Sequence, residues 1–323
     1  MKPSDRGRDI DVSKTTLAIH GDFFQQRCLS EVQQSGWEVL AEEFPISSYR
    51  SYGSLDIWAA LSRSGKGMNL LIECKKSHPD YRKWIFLSKP GPSSLSFPVA
   101  KMRKDSLKSS DPRIDPYKSR QLANLEATVE PNISTGFIDV EQSRMGIDTF
   151  AYGAREIKLD ADIKRIVHSY EEANRTRERP PQERIYHGCH QLSLAIKSVM
   201  LEELRLMEKY TYIGMPDRKV FIPILVTNAE LVSCFVDTTG IDLHTGEIRR
   251  EDAVKFTQVD GLAYHFPLPE ESYLYPQDVT GDRHVQFLES ASQMEKFKKL
   301  LIIVVRSSHL KKFLNDLRSH AVI

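Results

Sequence analysis

Three ionisable side chains, Asp56, Glu73 and Lys75, sit inside apolar segments where packing alone calls for none. In LDIWAAL (55–61) the acid stands between Leu55 and Ile57, and in NLLIECKK (69–76) the acid and base are two residues apart. Alternate residues of a strand share a face. Glu73 and Lys75 therefore point one way, and Leu70, Ile72 and Cys74 point the other. Burying such groups without partners is costly. If the two segments form a hairpin, Asp56 and Glu73 converge at its open end. Hard carboxylate oxygens placed so suit Mg²⁺, which takes one or two carboxylates and fills its shell with water and phosphate oxygens. Lys75 beside them can stabilise developing phosphoryl charge or help deprotonate a metal-bound water. The competing reading is a surface hairpin in which Glu73 and Lys75 form an ordinary ion pair of little energetic weight.

The elements that must position these groups are legible around them. Asp22 can cap a helix, with Gln25 three residues on in a capping-box arrangement. Phe24, Cys28 and Val32 recur at four-residue steps, giving one buried stripe to about residue 35, and Gly36 ends it. Segments 37–44, 55–61 and 69–74 follow as three short strands of an antiparallel meander. From 82 to 184 periodicity is weak and proline, serine and charge dominate. Within 101–120, seven basic residues (Lys101, Arg103, Lys104, Lys108, Arg113, Lys118 and Arg120) face three aspartates. They make either a solvated face or a basic arm over a nucleic-acid backbone. A charged helix is expected over 160–179. Regular structure returns with a helix over 187–209 and strands over 221–226 and 231–236 joined by a short turn. A strand at 300–305 and a helix at 308–317 close the chain.

The plan is α/β: a mixed sheet flanked by helices, with a large insertion after the third strand. It divides into 17–81 (helix and meander), 82–184 (insertion, basic and partly irregular) and 185–323 (the rest of the core with a C-terminal elaboration). Residues 240–298, with FPLPEESYLYPQD, read as a loop-rich β region.

Composition narrows the function classes. The 323 residues carry 45 Lys and Arg against 44 Asp and Glu, so no global basic field marks a polyanion binder. Cys28, Cys74, Cys189 and Cys234 are scattered, which fits a reducing compartment and argues against a disulfide scaffold or structural zinc. MKPSDRGRDIDVSKTT has no apolar core, and the longest apolar runs, 221–226 and 300–305, fall far short of a membrane helix. The expectation is a cytoplasmic protein with no membrane partner.

Asp56 followed by Glu73-Cys74-Lys75 on the next strand, after a helix with a Gly36-Trp37 exit, resembles the PD-(D/E)xK nuclease superfamily. The nearest flavour is that of Mrr-type restriction enzymes and archaeal junction resolvases. The likeness covers 20–76 and extends, more weakly, to the helix around Gln191 and the strand at 221–226. It implies a restriction-endonuclease-like fold and Mg-dependent endonuclease activity on DNA, in bacterial restriction or antiviral defence, with Mn²⁺ able to substitute. It also implies Asp56, Glu73 and the Cys74 carbonyl as metal ligands, Lys75 as the group that stabilises charge or positions the nucleophile, and Gln25, Glu31 and Gln191 as candidate accessory groups. A homodimer or an activating partner is compatible with it. Two positions depart from the pattern, and so does the unusually long insertion between the third strand and the second helix. Leu55 replaces proline, and Gln25 stands after Phe24 where related chains often carry a metal-associated Glu. Glu31 lies six residues further along, about 9 Å up the helix. The alternative class is a catalytically silent nuclease-like module that binds nucleic acid or a partner protein.

Weaker candidates surround the site. Lys76, His78, Lys101, Arg103 and Lys104 could contact a nucleic-acid backbone. His187 and His190, three apart near a helix start, could share a face as metal ligands, but no third ligand has matching spacing. His20 and Gly21 precede the first helix and could face a phosphate. Tyr81, Trp84 and Phe86 read as packing residues before they read as base-stacking platforms.

Overall fold

The structure, a computed structural model, describes residues 21–48, 51–63, 66–78, 81–89, 94–103, 132–141, 145–157, 184–209, 218–268 and 298–319. The expected helix at 160–179 lies outside these residues. Among those described, helix α1 (Asp22–Gln34) leads into β1 (Glu38–Ser48), β2 (Ser51–Arg63) and β3 (Lys66–Lys75). Then come β4 (Lys83–Lys89), β5 (Ser94–Arg103), β6 (Asn132–Glu141), β7 (Phe150–Ile157) and the long helix α2 (Arg184–Lys209). The last elements are β8 (Arg218–Thr227), β9 (Glu230–Val236), β10 (Val254–Val259), β11 (Gly261–Pro267), β12 (Lys299–Arg306) and helix α3 (Leu310–Ser319).

The strands form one mixed sheet in the order β1-β2-β3-β8-β12-β11-β7-β4-β9-β10, with β5 and β6 branching from β8. The meander β1-β2-β3 is antiparallel, whereas β3, β8 and β12 run parallel. A strand buried on both faces needs apolar residues at every position, and β8 is intermediate at Arg218 and buried from Lys219 to Thr227. Pro223 cannot donate to a ladder. It sits where β8 changes its second neighbour, from β5 at Arg218–Val220 to β12 at Ile224–Thr227.

Two apolar clusters fill the two faces. Helices α1 and α3 cover Ile57, Leu70, Ile72, Ile222, Ile224 and Ile303, while α2 covers Leu55, Leu71, Phe221 and Leu225. The alternation of β3 thus assigns Leu70 and Ile72 to one layer, and Leu71, with Glu73 and Lys75 in phase, to the α2 side. Some polar groups in these layers are paired: Trp58 Nε1 donates to Asn69 Oδ1 at 3.0 Å. Buried Lys219 pairs with buried Glu203 of α2. Helix α1 is fastened to α3 through its exit. Trp37 Nε1 donates to the Leu314 carbonyl at 3.4 Å, and Arg318 Nη1 to the Ser35 carbonyl at 3.2 Å. A Cβ on Gly36 (φ +76°) would come within 2.4 Å of Arg318 Nη1, the movable end of a side chain, so it is the left-handed backbone that favours glycine here.

The structure departs from the sequence expectations in two places. Asp22 is the first helical residue and does not cap; the turn is closed by the Gly21 carbonyl, which accepts from the Phe24 and Gln25 amides. Segments 221–226 and 231–236 are strands joined by a short turn, as expected; they do not pair with each other, because β8 is enclosed by β3 and β12 while β9 joins β4 and β10. The described residues of the stretch after the third strand are more regular than its composition implies, since β4 to β7 are strands of the same sheet. Within 240–298, β10 and β11 fit the expected β character. Among the described residues no helix is long and apolar enough to cross a membrane.

Candidate active site

The pairing of β2 with β3 runs from Arg63↔Lys66 to Ile57↔Ile72, which makes Asp56 and Glu73 the next residues on each strand. At this open end the Asp56 carboxylate takes over from the ladder. Its Oδ2 accepts the Cys74 backbone N–H at 2.6 Å. Glu73 is 1% exposed, and among the described residues its Oε2 has no hydrogen-bond partner. Its other oxygen, Oε1, lies 2.5 Å from Lys75 Nζ.

Helix α2 completes the far wall. Lys75 Nζ donates to Gln191 Oε1 at 2.6 Å, and Gln191 Nε2 reaches the Ser54 carbonyl at 3.5 Å. Close approach of helix to strand depends on Gly188. A Cβ there would lie 2.7 Å from Leu225 Cδ1 and 3.1 Å from Lys75 Cγ. The helix start is anchored from both sides: Glu156 of β7 accepts the Ile185 amide at 2.8 Å, and Arg184 donates to the Lys76 carbonyl. Ser77, next after Lys76, donates its amide to Asn228 Oδ1 at 2.6 Å, tying the end of β3 to the end of β8.

Burial and mutual repulsion govern the electrostatics. Desolvation pushes Glu73 up to about 8, the charge of Asp56 adds to the rise, and Lys75 opposes it. Desolvation likewise pushes Asp56 up to about 6, opposed first by the Cys74 amide and then by Lys75, with Glu43 adding to the rise. Among the described residues, two acids held this way share a single cationic neighbour, Lys75. The unpartnered Glu73 oxygen, the shared repulsion and an all-oxygen donor set fit a hard divalent cation. Asp56 and Glu73 are the side chains that would hold it. The Cys74 carbonyl belongs to the residue whose amide Asp56 already fixes. On the other side of β3 the Cys74 thiol is pushed up by a hydrogen bond with Cys28 and by burial. It forms no disulfide, since all four cysteines are free.

Asp56, Glu73, Lys75 and Gln191 are therefore brought together; the other candidates are placed elsewhere or on the rim. Gln25 lies on α1 and donates through Nε2 to Glu43 rather than to the carboxylate pair. Glu31 faces away, buried in the α1–α3 contact and paired with Arg27 and, at 3.9 Å, with Lys311. Lys76 and His78 follow β3 directly, His78 exposed with its ring 6.0 Å from that of Tyr81. Lys101 and Arg103 lie on β5, with their side chains outside the description. Lys104 and His20 lie outside the described residues altogether. Trp84 and Phe86 are core residues. His187 is held below its ordinary range by desolvation and by the charges of Lys75 and His190. His190 stacks 6.2 Å from Tyr186. Among the described residues no three His, Cys, Asp or Glu side chains converge tightly enough to form a metal cage, so the histidine pair gains no third ligand.

Sequence reasoning did not single out Gly188 or Glu43. A glycine near a helix start carries little signal by itself. Glu43 reads as one polar residue of an alternating strand. Comparison with known proteins finds no matching family model, no matching curated protein and no matching solved structure.

Proposed function

We propose that the chain is a metal-dependent nuclease of the restriction-endonuclease-like class, hydrolysing phosphodiester bonds of DNA. The observation that carries the reading is the Asp56–Glu73 pair, with a buried Glu73 oxygen unpartnered among the described residues and Lys75 fixed beside it by Gln191. A simple surface ion pair would not bury Glu73 to 1% exposure or fasten its lysine to a helix 116 residues away.

A bound Mg²⁺ would supply Lewis acidity at the phosphate and lower the pKa of a coordinated water. The protein's own part is orientation and charge. Asp56 is locked by the Cys74 amide and Glu73 by burial and its ion pair with Lys75, so neither needs to reorganise as charge develops. Lys75 presents its ammonium to the same space, where positive charge stabilises a pentavalent phosphoryl group. Gln191 gives that ammonium a second, neutral partner beside Glu73. Residues Lys76, His78 and Arg184 follow along the rim, where a backbone phosphate would pass. Roles in restriction or antiviral defence, and cutting as a homodimer, belong to the same proposal.

The test is incubation of purified protein with supercoiled plasmid and linear duplex in Mg²⁺, Mn²⁺ or EDTA. Glu73→Ala and Lys75→Ala variants, checked for unchanged folding, run alongside. Metal-dependent cutting lost in both variants is the expected result. Metal-independent DNA binding without cutting, unaffected by Asp56→Ala, would replace the proposal with that of a silent nucleic-acid-binding module.

A further inference from the structure

A third carboxylate stands beside the pair. Across the β1–β2 ladder Glu42 pairs with Ile57 and Phe44 with Leu55, which sets Glu43 opposite Asp56. Among the described residues Glu43 alone combines a side chain with a positive φ, +48°, a region that residues with a Cβ rarely adopt. Both carboxylate oxygens are gripped: Gln25 Nε2 of α1 donates to Oε1, and Ser54 Oγ of β2 donates to Oε2 at 2.5 Å. Ser54 also lends its carbonyl to Gln191, so Glu43 and Lys75 are joined through one residue of β2.

A row of acids is not in itself a site. The independent pointer to a ligand is Glu73, 1% exposed with Oε2 unpartnered among the described residues, on the strand next to Asp56. Inner coordination by three side chains is not available, since no such group of three converges among the described residues. Mg²⁺ keeps several of its waters when bound by one or two carboxylates, and those waters need acceptors. Glu43 is exposed, fixed at both oxygens and set opposite Asp56 across the β1–β2 ladder.

We infer that Glu43 is the outer-sphere carboxylate of a divalent-cation site built on Asp56 and Glu73, accepting hydrogen bonds from the waters of the bound ion. Its strained backbone is the conformation that turns the side chain toward Gln25 and Ser54. The inference rests on the metal-site part of the proposed function, and it goes beyond that reading by assigning a third acid and the two residues that aim it.

The experiment is calorimetric titration of the metal-free full chain with Mn²⁺, together with thermal unfolding of each variant without metal. Glu43→Gln is expected to weaken Mn²⁺ binding by about 10–100-fold, the usual cost of losing an outer-shell partner. Its metal-free unfolding temperature stays at the wild-type value. Glu43→Gly relieves the backbone and is expected to match or exceed the wild-type unfolding temperature while losing the same affinity. Wild-type affinity in both variants, with binding abolished by Glu73→Gln, would overturn the role of Glu43 and leave the Asp56–Glu73 site standing. A wild-type chain that takes up no Mn²⁺ would overturn both.

Discussion

The Lys75 ammonium donates a 2.6 Å hydrogen bond to Oε1 of Gln191, 116 residues later in the chain, while its other side rests 2.5 Å from Glu73. The lysine is thus held by one charged and one neutral partner, and only the neutral one can be removed without stripping Glu73 of its counter-charge. Gln191→Ala is expected to lower the rate constant for plasmid cleavage by about 10–100-fold with little change in KM, as loss of an orienting contact does. Lys75→Met, which removes the charge itself, is expected to cost about 10²–10³-fold. Single-turnover cleavage across a substrate range separates the two. Wild-type rates in Gln191→Ala would remove Gln191 from the site.

Gly188 decides how closely α2 approaches β3. An alanine there must displace Leu225 Cδ1 from 2.7 Å and the Lys75 stem from 3.1 Å. Both are side-chain atoms able to move, so the fold should survive. Overpacking costs about 1–3 kcal/mol, offset by about 1 kcal/mol from the better helix propensity of alanine. Gly188→Ala is expected to change unfolding free energy by about 0–2 kcal/mol while reducing cleavage as strongly as Gln191→Ala. Urea unfolding and cleavage on one preparation check this; equal losses in stability and activity would make Gly188 a packing residue only.

The carboxylate pair and its lysine were legible because their signal is local. Acids inside apolar runs announce themselves, and a period of two fixes which of Glu73 and Cys74 faces which layer. Gln191 was legible only through a family likeness, since nothing in HQLSLAIK by itself points to Lys75. The pairing of β9 with β4 rather than β8 was not legible, because β8 finds its partners in β3 and β12, far away in sequence. Glu31 misled for a related reason. A charged residue on a helix face reads as available, yet here the C-terminal helix supplies Lys311 and buries it. Glu43 was hidden because a left-handed backbone at a non-glycine residue leaves no trace in composition or spacing.

Beneath the far half of α2, Glu203 and Lys219 form an ion pair in which both residues are buried. Each charge is stable there only because of the other. Lys219→Met leaves an uncompensated buried carboxylate and is expected to cost about 3–5 kcal/mol, whereas Glu203→Leu with Lys219→Met should lie within about 1 kcal/mol of wild type or above it. Chemical denaturation of the two singles and the double closes the cycle. A double variant as unstable as the worse single would mean that the pair contributes more than mutual neutralisation.

His265 supplies a pH dependence away from the carboxylates. It lies on β11 against Phe150, ring centroids 4.5 Å apart. Burial, then the charges of Lys299 and Lys89, hold its pKa down to about 4 against an ordinary 6.5. A depressed pKa means that the folded state binds the proton less readily than the unfolded chain. The neutral imidazole therefore contributes stability that is complete above about pH 6.5 and is lost as pH falls toward 4. The unfolding temperature of the wild type is expected to decline across that window, and His265→Phe, which keeps a ring and cannot charge, should flatten part of the decline. Lys89 lies 5.7 Å from the Phe150 ring centroid, so Lys89→Gln removes one of the repelling charges and should raise the His265 midpoint. Proton-detected titration of the His265 ring in both backgrounds gives the numbers directly. A wild-type midpoint near 6.5 would place the imidazole in solvent and cancel the effect.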